Sequence, residues 1–395
     1  MSADAFLAFA RPSLTERERD AVMEVLDSGW LTTGPRTQAF AEAFAAFVGA
    51  PHAVPLNSAT AGLHLALEAL GVGPGDEVIV PTWTFTSTAE VVTYLGARPV
   101  LVDIDPATLN ADPVAIRAAI TERTRAVMAV HIAGLPMAIG PLVRELEARG
   151  IPVVEDAAHA FPSRIASEGD RLAGTIGRVG VYSFYATKTI TTGEGGMLVT
   201  ADPAIADRAR QMSLHGISRD AWKRYTAAGS WYYEVEAAGF KYNMTDLAAA
   251  LGTVQLTRAD ELLGARRSLA RRYRAELAAS DVADAVELPQ DAPDGSHAWH
   301  LFIVRLRLER LTIERHEVIE ALRERGIGTS VHFIPLHQHP YYRRTWVREG
   351  DAFPAADREF ERVISLPIWP GMTDADVDRV VAAIRDVLRP RLVSG

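Results

Sequence analysis

The 395-residue chain predicts an α/β fold: a doubly wound, mostly parallel sheet in a large domain, followed by a smaller α+β domain. Three observations predict it. Strand-like and helix-like patterns alternate over roughly the first two hundred residues. The apolar run Ile151-Pro152-Val153-Val154 ends in Glu155 and Asp156, as a doubly buried parallel strand does when it delivers a carboxylate to the edge where such sheets hold ligands. From about Ala201 the pattern turns more helical, and the length exceeds one small domain, so the large domain is placed at residues 1–255 and the small one at 256–395.

Taken in order, a helix is expected from about Ser13 to Leu26, with Ser13 as cap and Glu16 completing a capping box. Trp30 to Pro35 interrupts it, and a second helix runs from Gln38 to Val48, closed by Gly49. A brief strand at Val54 to Leu56 leads into a helix whose first turn is built from Ser58, Ala59, Thr60, Ala61 and Gly62. Nothing bulky there keeps a ligand from its free amides, and such an N-terminus attracts phosphate. His64, further along, reads as a packed helix residue. Glu77 to Pro81 is a strand, and Thr82 to Thr88 opens the next helix with two aromatics, Trp83 and Phe85, either of which could cover a planar ligand or pack in the core. The strand at Pro99 to Ile104, the helix near Pro113 to Ile120, the strand at Ala126 to Val130 and the helix at Pro141 to Arg149 continue the alternation.

Val181 to Tyr185 reads as a short buried strand, and it leads to Lys188 just past its end. An amine held among apolar neighbours loses proton affinity and becomes a nucleophile toward an aldehyde, which is Schiff-base chemistry. Ser183 could give a hydroxyl to an anion, and Gly193, Gly195 and Gly196 let the backbone pass close to a flat ligand. A polar, aromatic-rich insertion at residues 220–236 is expected to form a loop or flap, followed by a helix through Thr257 and a long Arg-rich helix to about Ala279 that bridges to the small domain. There, strands at Trp299 to Leu306 and Gly328 to Phe333 accompany helices at Glu314 to Arg325 and Asp374 to Leu388.

Composition excludes much. The 41 Lys and Arg against 50 Asp and Glu give a net charge of −9, against the basic face of a nucleic-acid binder. No cysteine is present, which removes disulfides, thiolate metal sites and cysteine nucleophiles. The N-terminal run Phe6 to Ala10 is short and lacks the basic flank of a signal peptide, and no apolar run reaches the length of a membrane span, so a cytoplasmic location without membrane attachment is expected. The glycine clusters match neither the dinucleotide nor the P-loop fingerprint. His332, His337 and His339 lack zincin spacing and nearby acids, so substrate contact or loop chemistry is expected of them and no metal.

A post-strand lysine, an acid at a parallel strand's end, a phosphate-ready helix and an aromatic cover together make the parts for pyridoxal 5′-phosphate. The stretches "NSATAGLHLAL", "VVEDAAHAFPS", "YSFYATKTITTGEGGML", "GFKYNMTDLAAALGTVQL" and "IGTSVHFIPLHQHPYY" resemble the DegT/DnrJ/EryC1/StrS sugar aminotransferases, in this order, from about Pro12 to Leu388. Other stretches, "HGISRDAW" and "HAWHLFIV" among them, look most like the branch containing UDP-4-amino-4-deoxy-L-arabinose–oxoglutarate aminotransferase.

The resemblance implies the fold-type I architecture, with a seven-stranded type of sheet. It implies that Lys188 carries the cofactor's aldehyde and that Asp156 pairs with the pyridine nitrogen. His159 is implied near the phenolic oxygen, where many members carry Gln. Thr60 and Ala61 would offer amides to the phosphate, Ser183 its hydroxyl, and Asn243 would reach it from a neighbouring subunit of a homodimer with shared sites. Phe85 takes the position of the stacking aromatic, with Trp83 as its rival, and Trp83, His215 and His332 are candidate substrate contacts. The implied reaction moves an amino group from glutamate, released as 2-oxoglutarate, to a nucleotide-linked keto sugar, with Lys188 as nucleophile and then base. The rival readings are an aminotransferase of a non-sugar keto substrate and a cofactor-binding regulatory protein.

Overall fold

The computed structural model describes residues 6–217, 233–292 and 296–393. Trp222, Tyr225, Trp231 and Tyr232 of the expected insertion lie outside the described residues.

The large sheet has seven strands. Five are β1 (His52–Leu56), β2 (Glu77–Pro81), β3 (Arg98–Val102), β4 (Thr124–Val130) and β5 (Val153–Asp156). After a two-stranded ribbon, β6 (Arg164–Ile165) and β7 (Arg171–Leu172), come the other two, β8 (Val179–Ser183) and β9 (Gly196–Thr200). Their spatial order is β1-β9-β8-β5-β4-β2-β3, and only β9 runs antiparallel to its neighbours. Strands β2, β5, β8 and β9 are buried along their whole length, which is why they read as unbroken apolar runs instead of alternating ones.

Because the sheet is mostly parallel, the segments that leave β1, β2, β4, β5 and β8 all emerge at one edge, and β9 starts from it. That shared edge is where the chemistry collects. Helices cover both faces. One core gathers Phe40, Phe44, Phe161, Tyr182 and Phe184, and another packs Leu63, Leu67, Val78, Val154 and Val181.

The C-terminal portion builds a second core on an antiparallel sheet of β10 (Val286–Glu287), β11 (Phe302–Leu306) and β12 (Val363–Leu366). The long helix Ala259–Ala278 and the final helix Asp374–Leu388 pack against it as expected. Leu7 joins this core and bridges to Ile327, so the N-terminal segment lies on the C-terminal portion.

Several boundaries differ from the expectations. The first helix, α1, spans Glu16–Ser28, because Thr15 caps it and Glu18 closes the box, while Ser13 instead gives its carbonyl to Gln255 and Arg258. The second, α2, spans Pro35–Val48, with Pro35 in the first turn, where a missing N–H costs nothing. Gly180 lies inside β8 and does not bound it; a Cβ there would run into the Gly174 carbonyl. Residues 328–333 form no strand, only a single bridge from Ser330 to Ser365, since His332 and Phe333 turn toward the cleft described below.

Candidate active site

At the shared strand edge, a cleft of about 440 Å³ opens between the large sheet and the C-terminal portion. Each strand end supplies part of its wall. Ser58, Ala59 and Thr60 come from the turn after β1 and the start of α3 (Ala59–Ala69). Phe85 and Ser87 follow β2, ahead of α4 (Ser87–Tyr94); Asp156 and His159 follow β5; Ser183, Tyr185 and Lys188 follow β8; and Glu194 and Gly195 precede β9. From the other side come Phe9, His300, His332 and Phe333.

Lys188 is half-buried through its contact with the cleft, but its amine is surrounded by protein. Burial lowers its pKa to about 8; the nearby Asp156 carboxylate works against that shift, and the Arg266 guanidinium adds to it. Its Nζ lies 3.4 Å from His300 Nε2. The Asp156 carboxylate is buried and accepts from Thr88 Oγ1 at 2.7 Å and from the Ala158 amide at 3.1 Å. Burial raises its pKa, with those two bonds and the Lys188 charge pulling the other way. A cationic N–H facing Asp156 would supply the charge that its burial lacks.

Beside them, His159 is buried with Nδ1 unpartnered, stacked at 5.6 Å on Phe333 and 4.4 Å from the His300 ring. Burial holds it well below the usual histidine range, so it is neutral near pH 7. Burial, seconded by the Lys188 charge, also lowers His332 to about 4.

Ala59 and Thr60, in the first turn of α3, line the cleft, and the amides of a first turn have no carbonyl within the helix to pair with. The backbone of Gly196 presses on Ser58 and Ala59 so closely that a Cβ there would displace them. Ser183 lines the same space, its hydroxyl accepting from the Tyr185 amide at 3.3 Å.

Two expectations need correction. Ala61 does not offer a free amide, because its N–H is bonded to the Ser58 hydroxyl cap at 3.1 Å. Trp83 is fully buried among Ile104, Val130 and Leu301, and its indole donates to the His332 carbonyl, so it supports the wall without facing the cleft. Its rival Phe85 lies in the cleft, 56% exposed, with its ring 5.9 Å from that of Phe333.

His215 is exposed and lies outside the residues that line the cleft. Asn243 is also outside it; its Nδ2 donates to Thr33 Oγ1 at 2.6 Å, beside a separate hollow that shares Glu194 with the cleft. His337 bonds Thr82 Oγ1 and Asp357 Oδ1, tying the segment after β2 to the C-terminal portion. His300, Thr88 and Phe9 were not singled out from the sequence. The "HAWHLFIV" stretch contains His300, but nothing in its pattern tells a cleft histidine from a packed one such as His297.

A low-pKa lysine, a buried acid, a phosphate-sized helix N-terminus and an aromatic wall together define an α/β enzyme suited to hold pyridoxal phosphate. The donor set fits: one amine for the aldehyde, one buried carboxylate for a ring nitrogen and one unpartnered imidazole nitrogen nearby. Comparison with known proteins agrees, and the chain belongs to the DegT/DnrJ/EryC1/StrS aminotransferase family, which it matches over residues 12–385. The spore coat polysaccharide biosynthesis protein SpsC of Bacillus subtilis is 47% identical over 385 residues, covering 97% of each chain. The aminotransferase TlmJ of Streptoalloteichus hindustanus superposes with a TM-score of 0.87 at 36% identity, over 97% of this chain and 98% of that one. Helicobacter pylori PseC, an aminotransferase involved in the biosynthesis of pseudoaminic acid, gives 0.87 at 25% identity, over 98% and 100%. The family is pyridoxal-phosphate-dependent, and the matched Spr1654 protein of Streptococcus pneumoniae has been solved in PLP and PMP forms. This chain is accordingly an aminotransferase that acts on sugar substrates.

Proposed function

We propose that the chain moves an amino group from glutamate to a nucleotide-linked keto sugar, a 4-keto sugar, in the making of amino sugars for surface polysaccharide. The observation that carries this reading is the placing of the Lys188 amine, its pKa lowered to about 8, in one cleft with the buried Asp156 carboxylate. The printed roles of SpsC and PseC, in polysaccharide and pseudoaminic acid biosynthesis, support the sugar class.

Pyridoxal phosphate, when bound, supplies the electron sink that makes the carbon bearing the amine acidic. The rest falls to the chain. Lys188 would hold the cofactor through its aldehyde, and its amine, when free, would serve as the base that takes up and returns a proton. Asp156, fixed by Thr88 and the Ala158 amide, keeps the ring nitrogen protonated. Ser183 and the Thr60 amide would take the phosphate. Phe85 covers the ring and neutral His159 accompanies its oxygen. His332 contacts the sugar substrate, as does His215 if a partner subunit brings it near.

The unit is a cytoplasmic homodimer in which Asn243 of the partner subunit completes the phosphate site, supported by the position of Asn243 outside its own chain's cleft. No described helix is long and apolar enough to cross a membrane. The division of the chain is placed at residues 255 and 256, with Lys188 before it and His300 and His332 of the same cleft after it.

Incubating the loaded protein with glutamate and a panel of nucleotide-linked keto sugars and simple keto acids, and measuring 2-oxoglutarate and amino product by mass spectrometry, tests the reading. Amino-sugar formation supports it. Turnover of keto acids alone would replace it with the non-sugar alternative.

A further inference from the structure

His300 is held more firmly than a wall residue requires. The Ala298 amide bonds the Gly134 carbonyl at 2.9 Å, and the Leu301 amide bonds the Ala133 carbonyl at 3.1 Å, which fixes the segment to the turn after β4. Trp299 and Ala133 both adopt the left-handed backbone region, at φ +50° and +58°, which such side chains keep only where their surroundings impose it. Beneath the segment lies Arg266, a buried guanidinium whose NH1 donates to the carbonyls of Trp299, His300 and Ile368, and whose NH2 donates to that of Thr187. One cation thereby ties the residue before Lys188 to His300 itself.

The His300 ring is buried, with Nε2 3.4 Å from the Lys188 amine, at the long end of hydrogen-bond distance. Its Nδ1 is buried without a partner.

We propose that His300 is the hydrogen-bond acceptor that receives the Lys188 amine whenever that amine is not covalently engaged, and keeps it directed into the cleft. Lys188 Nζ donates and His300 Nε2 accepts; no proton changes owner. Lys188, His159, Arg266 and His332 all disfavour an imidazolium at this position, in addition to its burial, so the ring stays neutral and able to accept. The Asp156 carboxylate acts on the same amine through its charge. Arg266 acts through His300 and Thr187 as a positioning residue.

The sequence provides a direct test. The chain has only three lysines, Lys188, Lys223 and Lys241, so an amine label can be assigned residue by residue. The proposal rests on Lys188 being the reacting amine, but labelling reads the cofactor-free full chain, so its outcome is independent of the sugar and the donor.

Trace acetylation is followed by peptide mass spectrometry across a pH range on either side of 8, the value about which Lys188 titrates, with exposed Lys241 as reference. An acceptor stabilises the ammonium, so His300→Phe should lower the Lys188 labelling midpoint by about half a unit or more, and His300→Gln, whose amide oxygen can accept, should restore most of it. If His300→Phe does not fold, His300→Ala serves the same comparison. An unchanged midpoint in the apolar variant, or an equal fall with Phe and Gln, would overturn the proposal.

Discussion

Lys188 and Asp156 face one cleft from the ends of adjacent parallel strands, and burial drives both toward their neutral forms. The two shifts have opposite chemical uses. A lysine moved down to about 8 reaches its nucleophilic form near neutral pH, whereas an acid moved up needs a cationic partner to stay charged. Asp156→Asn should therefore leave the fold intact, since Thr88 and the Ala158 amide can still be bonded, but slow the glutamate half-reaction about 10–100-fold, the value of one charge-assisted bond of about 1.5–3 kcal/mol. Stopped-flow spectroscopy with Asp156→Asn and the wild type measures it; equal rates would remove Asp156 from the ring nitrogen. Lys188, Asp156, Ser183 and Thr60, suggested by the pattern of strand ends and helix starts, and His159, implied by the family resemblance, all line the one cleft. Trp83 and Phe85 were not separable that way. They lie two residues apart after β2, and only the packing of Ile104 and Leu301 around Trp83 decides which ring is inside. His300 was hidden for a different reason: it meets Lys188 from 112 residues away, across two cores.

Among elements, α3 and β9 together form the proposed phosphate end of the site. Ser58 caps the helix while Gly196, the first residue of β9, lies against it without room for a side chain. Gly196→Ala should cost about 1–3 kcal/mol of stability through overpacking and, by pushing Ser58 and Ala59 aside, should weaken cofactor binding more than Gly264→Ala, whose Cβ would meet nothing. Denaturant unfolding gives the first quantity and equilibrium dialysis against pyridoxal phosphate the second; unaltered binding in Gly196→Ala would mean that the phosphate lies elsewhere. Elements were legible in type but less so in extent. The cap of the first helix is Thr15, two residues after the Ser13 that the sequence suggested, because Thr15 with Glu18 makes an equally valid box. The expected strand at 328–333 has the composition of one, but Ile327 is taken by Leu7 and only Ser330 finds a partner on β12.

At the scale of the whole molecule, the cleft combines a rigid mostly parallel sheet with groups from the antiparallel half, so the site exists only when the two are docked. The proposed dimer adds a second condition. If Asn243 serves the partner's phosphate site, mixing Lys188→Ala with Asn243→Ala subunits should regain activity, to about a quarter of wild type when half the dimers are mixed and each has one complete site. Steady-state assays of the remixed variants measure this, and no gain over either parent would place Asn243 outside the shared site. The α/β class and the second core were legible from the alternation of patterns. Residues 220–232 of the insertion lie outside the described residues.

The central claim, amino transfer through Lys188, is tested most directly by the absorption spectrum of the pyridoxal-phosphate-loaded protein before and after glutamate, for the wild type and Lys188→Ala. On adding glutamate the wild type's visible band should give way to a near-ultraviolet one, and Lys188→Ala should show neither the starting band of a lysine-bound cofactor nor the change. A wild-type spectrum indifferent to glutamate, or a variant that responds as the wild type does, would contradict it.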